Sequence, residues 1–140
     1  MGIPLHPGIR RVLDRPNIAH LATLQPDGAP KSDPVWILRD EDRVVVGTHT
    51  DSLKARNAAH DPRVAVSVVD RDNPYEEVQL RGVVIDHEPD YELEVMDRIA
   101  RKYTGEAFPW RTGHGRVALI IDVTQARHHI LPITGATPEG

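Results

Sequence analysis

The chain has no cysteine, and among its 140 residues only two Trp, three Tyr and one Phe are aromatic. Without thiols there is no disulfide framework, no thiolate metal site and no cysteine nucleophile. Lysine is almost as scarce, with Lys31, Lys54 and Lys102 standing among 17 basic residues. No block of Lys and Arg exists, and the formal charge is −4. A basic stripe for nucleic-acid phosphates is therefore missing, and with it the usual attraction to an anionic membrane surface. No apolar run approaches the roughly 20 residues of a spanning helix, and MGIPLHPGIRRVLD lacks the apolar core of a signal peptide, so a cytoplasmic protein is expected. Also absent are His-Glu-x-x-His, Gly-x-Ser-x-Gly, a Walker loop and Gly-x-Gly-x-x-Gly, which leaves metal-dependent and nucleophilic catalysis without support.

What is present is a chain of short periodic segments. Its length suits one domain over 1–140, with a core at about 9–131 and a flexible tail at 132–140. Ile9, Val12 and Leu13 lie at helical spacing before Pro16 and predict a short leading helix. NIAHLATL, with apolar Ile18, Leu21 and Leu24, and KSDPVWIL flank QPDG and predict a hairpin about Asp27-Gly28. Pro34 cannot donate to a ladder, so its strand must be an edge, bulged or broken. RDEDR reads as a turn, VVVGTHT as a third strand, SLKARNAAH as a helix ended by Asp61-Pro62, and RVAVSVVD as a strand. RDNPY then reads as a turn before the longer strand EEVQLRGVVID. Tyr91, Val95, Ile99 and Tyr103 recur every four residues and predict a helix with Asp90 as N-cap and Gly105 as stop. GRVALIIDVTQARHHI gives a last strand. About six antiparallel strands and three short helices, mainly β in an α+β frame, fit a small barrel with helices at its ends and flanks.

Three stretches carry chemistry. In THTDSLKARN a helix begins directly after a strand. Its first-turn amides, the hydroxyls of Thr48, Thr50 and Ser52, and the Lys54 ammonium could hold a phosphate. The same stretch reads as a surface helix capped by Asp51 or Ser52, and an Asp51 cap would compete with an anion. In KSDPVWIL, the Pro34 break and Trp36 could form a flat wall for a planar ring, or Trp36 could be ordinary core. RKYTGEAFPWRTGHGR gathers three aromatics, Trp110 among them, in a loop suited either to covering a site or to packing. His128 and His129 are adjacent in a strand, so they face opposite ways and cannot chelate one metal.

In this order, LATLQPDGAPKSDPVW, then VVVGTHTDSLKARNAAHDPRVAVSVVDRDNPYEEVQLRGVV, then RIARKYTGEAFPW resembles the pyridoxamine 5'-phosphate oxidase-like split β-barrel superfamily. Within it, the chain is most similar to the branch of deazaflavin (F420)-dependent oxidoreductases. The series Thr48, Lys54, Asn57, Asp61-Pro62 and the Asp-Asn-Pro-Tyr turn at 72–75 carry most of the likeness, which runs from about residue 9 to 124. The resemblance implies an FMN-binding-like split barrel that forms homodimers with cofactor sites at the subunit interface. It implies that Lys54 with the neighbouring hydroxyls of Thr48, Thr50 and Ser52 holds the cofactor phosphate, that Asn57 also binds the cofactor, and that Ser32, Pro34, Val35 and Trp36 lie along the ring. The other subunit would complete the pocket, with the Trp110 loop as the candidate segment.

The expected function is hydride transfer between F420 and an unsaturated small organic substrate, the cofactor carrying the chemistry and the protein orienting it. FMN is the alternative cofactor, and a non-catalytic carrier of F420, a haem-like molecule or a fatty acid is the alternative role. Pyridoxamine phosphate oxidation is not expected, because ARHHILPITGATPEG does not resemble the substrate-binding end of the vitamin oxidases. No proton donor stands out. Basic side chains facing the pocket would favour an anionic substrate such as a tetrapyrrole or quinone-like compound.

Overall fold

Seven strands form one antiparallel sheet in the order β2-β1-β5-β6-β7-β4-β3 in the computed structural model, which describes residues 2–132. The expected tail at 132–140 lies outside the described residues except for Pro132. The elements are α1 (Pro7–Asp14), β1 (Ala19–Leu24), β2 (Pro30–Val35), β3 (Leu38–Asp40), β4 (Arg43–His49), α2 (Leu53–His60), β5 (Arg63–Asp70), β6 (Asn73–Pro89), α3 (Glu94–Thr104) and β7 (Arg116–Ile130).

The order explains the barrel. β2 and β3 stand at opposite edges of the sheet, yet only Trp36 and Ile37 separate them in the chain. Three Cα steps reach at most about 10–11 Å, so the sheet must curl until its edges meet along a seam. Pro34 is tolerated because β2 is an edge strand and pairs only with β1. The long β6 and β7 bend through register shifts at Arg81/Gly82 and Val84/Asp86. A Cβ on Gly82 would lie 2.2 Å from the Asp122 carbonyl oxygen, so only glycine permits that approach.

Leu21, Val44, Val46, Val66, Val78, Leu119 and Ile121 point inward. Ile9, Val12 and Leu13 of α1, and Ala55 and Ala58 of α2, enter the same core. α3 packs on the other face of β3 and β4, where Leu93, Met96 and Ile99 meet Trp36, Leu38, Tyr103 and Phe108. No helix among the described residues is long and apolar enough to cross a membrane.

Four expectations change. The strand expected through Leu38 breaks after Val35, and Leu38 joins Arg39 and Asp40 of the expected RDEDR turn in an additional strand, β3. β6 starts at Asn73, inside the expected RDNPY turn. Along β1 the strand period governs: Ala19, Leu21 and Thr23 are buried, whereas Ile18, just before the strand, is 47% exposed. α3 starts at Glu94, after Leu93 in a left-handed conformation (φ 61°), so Tyr91 lies outside the helix and is 62% exposed. Its buried stripe is Met96, Ile99 and Ala100. Asp90 nevertheless satisfies the first turn, accepting from the amides of Val95 (3.0 Å) and Met96 (2.9 Å), and Gly105 ends the helix at φ 83°.

Candidate functional site

The start of α2 is built from β4 outward. Ser52 is the N-cap in extended conformation (φ −65°, ψ 151°), and its Oγ accepts from the Ala55 amide at 3.2 Å. Buried Thr48 donates from Oγ1 to the same Oγ at 2.9 Å. With Oγ accepting twice, the Ser52 hydroxyl hydrogen is left for a group beyond the helix end. Asp51 does not cap: its side chain is 90% exposed, and its carboxylate is 3.8 Å from His49 Nδ1. Thr50 is exposed and gives its amide to the Gly115 carbonyl at 2.8 Å, tying the α3–β7 loop to this corner.

Of the three lysines, two are engaged. Lys31 pairs with Asp33 at 2.5 Å, and Lys102 donates to the carbonyls of Leu13 (2.6 Å) and Ile37 (2.7 Å). Half-buried Lys54 has no hydrogen-bond or ion-pair partner among the described residues. Lys54 and Arg56 stand in the first turn of α2, where no acidic residue answers them. Cations at a helix N-terminus oppose the macrodipole, and a bound anion would relieve that opposition. Asn57 is turned into the protein, 2% exposed, donating to Thr23 Oγ1 at 3.0 Å, so it anchors α2 to β1.

The seam forms a second region. Trp36 stacks on Tyr103 with ring centroids 4.9 Å apart and planes 6° from parallel. The Tyr103 hydroxyl accepts from the Ile37 amide (3.1 Å) and donates to the Asn17 carbonyl (2.7 Å). Pro34, Val35 and Trp36 line an open cleft of about 370 Å³ with Ile18. Burial pushes the Lys102 ammonium down to about 8, with nearby Asp14 opposing the shift, and raises the Tyr103 hydroxyl above its ordinary value. Trp110 is 72% exposed on the α3–β7 loop. Its ring meets Phe108 edge-on at 5.3 Å, and an Arg111–Asp97 ion pair at 2.7 Å secures the loop to α3.

A third region lies on the outer face of the sheet. Pairing sets Pro34, His20, Ser67, Gln79 and Arg127 in one row across five strands. The next row is Ser32, Ala22, Ala65, Arg81 and Gln125. The small side chains leave a groove of about 350 Å³, within the range of small-molecule sites. Thus Thr48 and Ser52 converge at α2, while Ser32 lines the groove and Pro34–Trp36 line the seam cleft. Neither cleft reaches Thr50, Ser52 or Lys54 within the single chain.

The family model described as pyridoxamine 5'-phosphate oxidase matches residues 5–130. This chain belongs to the pyridoxamine 5'-phosphate oxidase family. The fold of the family extends over solved structures of diverse names. An F420 reductase is 32% identical, with a TM-score of 0.81 over 88% of this chain and 98% of that one. A conserved hypothetical protein from Mycobacterium tuberculosis is 23% identical, with a TM-score of 0.76 over 97% and 94%. General Stress Protein 26 from Bacillus anthracis is 16% identical, with a TM-score of 0.69 over 87% and 91%. The latter two likenesses concern the fold. No protein of curated function matches the chain.

For this member of the oxidase family, sequence reasoning passed over His20, Arg81 and Arg127, and over the bonds of Lys102 and Tyr103. His20 had a usable signal: Ile18, His20 and Ala22 alternate with inward Ala19, Leu21 and Thr23. The arginines had none, because their convergence depends on the register of β5, β6 and β7.

Proposed function

We propose that this chain is an F420-dependent reductase, with the cofactor phosphate at the start of α2. The observation that carries the reading is the Lys54 ammonium, without a partner among the described residues, in the first turn of the helix that Ser52 caps, with the competing Asp51 carboxylate turned to solvent. These residues fit a phosphate: a full charge, a directed hydroxyl and free helix amides. Likeness to an F420 reductase at 32% identity favours the deazaflavin over FMN. When bound, F420 supplies or accepts a hydride. The chain's part is to hold the phosphate through Lys54 and Ser52, with Thr48 fixing the Ser52 rotamer. Ser32, Pro34, Val35 and Trp36 give the ring a wall, and Tyr103 fixes the plane of Trp36.

The working unit in this reading is a cytoplasmic homodimer. A second copy, bringing its own Trp110 loop, closes the site that the single chain leaves open. An exposed tryptophan and the exposed Ile18 beside the seam cleft support that arrangement.

Titration of the purified protein with F420 and with FMN is the deciding experiment. F420 is expected to bind more tightly than micromolar and FMN more weakly. Lys54→Ala should cost about 1.5–3 kcal/mol, more than tenfold in affinity. Failure of both cofactors to bind, or an unchanged Lys54→Ala, sinks the cofactor reading, and sedimentation at the mass of one chain sinks the dimer.

A further inference from the structure

The cap of α1 is a histidine. His6 precedes the helix in extended conformation (φ −71°, ψ 163°), and its Nδ1 accepts from the amides of Gly8 at 3.1 Å and Ile9 at 3.4 Å. The common cap residues Ser, Thr, Asp and Asn present an oxygen that remains an acceptor near neutral pH. An imidazole does not: neutral, it has one donor and one acceptor nitrogen, and protonated it has two donors. Histidine is the side chain that makes such a change at roughly pH 5–8. One proton on the His6 ring therefore removes both bonds and leaves a cation at the positive end of the helix dipole.

The surroundings give that cation no counter-charge. α1 has no acidic residue in its first turn, and no carboxylate lies at ion-pair distance from His6 among the described residues. The charged groups of this corner are Arg10 and Arg11 on α1, Asp42 between β3 and β4, Glu76 on β6 and His128 on β7. Both carboxylates are engaged. Asp42 takes Arg10 at 2.7 Å and the Leu5 amide at 2.9 Å, while buried Glu76 takes Arg11 and, at 2.7 Å, His128 Nε2. The His6 and His128 rings lie 5.3 Å apart between centroids, so two imidazoliums there would repel. Gly8 permits the packing, since a Cβ on it would lie 2.7 Å from His128 Cε1. What the cap holds down is core: Leu5 and Ile9, on either side of it, are buried. The far end of α1 is held separately, by Lys102 at the Leu13 carbonyl.

We propose that His6 is an acid-released latch: a second proton on its ring frees residues 5–10 from the core while the far end of α1 stays in place. The device depends on no cofactor. That proton costs the folded chain two hydrogen bonds and the unfolded chain none, so stability is lost as pH falls. A proton on His128 would instead add to its contact with Glu76. Comparison of the wild type with His6→Asn cancels that opposing effect, because asparagine caps at every pH and both proteins keep His128.

The test is amide hydrogen exchange of the full-length protein, corrected for intrinsic rates, together with nitrogen NMR of the histidine rings. The amides to follow are Leu5, bonded to Asp42, and Ile9 and Arg10, bonded to the His6 carbonyl. Between about pH 8 and about pH 5 their protection should fall about tenfold in the wild type and less than about twofold in His6→Asn. Arg15, whose amide bonds to the Arg11 carbonyl, should keep its protection in both proteins. At about pH 8 the His6 ring should carry its proton on Nε2. Equal loss of protection in the two proteins, a wild type that stays protected, a loss that reaches Arg15, or a His6 proton on Nδ1 at the higher pH overturns the proposal. The last three are read on the wild type alone and stand even if the variant fails to fold.

Discussion

Lys54 and Lys102 make opposite use of the same side chain. Lys102 is withdrawn from water, bridges the carbonyls of Leu13 and Ile37, and so ties the end of α1 to the seam where the sheet closes. Lys54 stands at the start of a helix with no partner among the described residues and no acid in its first turn. The first ammonium is spent on the fold and its removal strands two acceptors; the second adds nothing visible to the fold and is available to a ligand. A scarce residue type marks two different jobs, and only the partners distinguish them.

That contrast can be broken by exchange of readouts. Lys102→Met keeps the stem and removes the donors, so it should lower unfolding stability by about 2–3 kcal/mol in urea melts. Its folded fraction should retain the F420 affinity of the wild type. Lys54→Ala should do the reverse, with stability within about 0.5 kcal/mol of wild type and the loss confined to cofactor titration. If Lys54→Ala unfolds the protein, or Lys102→Met abolishes binding at full stability, the division between the two lysines is wrong.

Acidity sharpens the same comparison. The folded value of Lys102, about 8, lies below its ordinary 10.5. Between these values the unfolded chain binds more protons, so this group's contribution to stability is present above 10.5 and is lost as pH falls through 8. The stability gap between wild type and Lys102→Met should therefore widen from about pH 8 to 10.5; a flat gap would mean that Lys102 is not desolvated. Tyr103, whose hydroxyl is pushed up by burial, acts alike in both proteins and cancels. The smallest effect is expected at Asp51: Asp51→Asn removes an exposed charge near the proposed phosphate site and should tighten F420 binding by less than about threefold. Weaker binding would show that the carboxylate supports the site.

The elements were legible where one period dominated. Alternation in RVAVSVVD and the Ile9-Val12-Leu13 spacing survive unchanged, because each describes a segment buried on one face. The THTDSLKARN corner was legible for a related reason: cap, hydroxyls and lysine are local to one turn. Legibility stopped at distances set by pairing. Whether Asp51 or Ser52 capped α2 depended on one side-chain rotation. Arg81 and Arg127 share a groove only because of a register between strands far apart in sequence. Trp36 could be read as wall or as core, and the structure packs it on Tyr103 at the border of an open cleft.

The outermost strand has one more consequence. β2 pairs with no strand beyond β1, and Pro30 and Pro34 leave it two backbone N–H groups fewer. At the other edge, β3 is only three residues long. A foreign strand seeking to extend this sheet meets missing donors on one border and too short a template on the other, so open-ended stacking into fibres is discouraged. The proline that broke the regular pattern of KSDPVWIL thus also protects the protein from its own sheet.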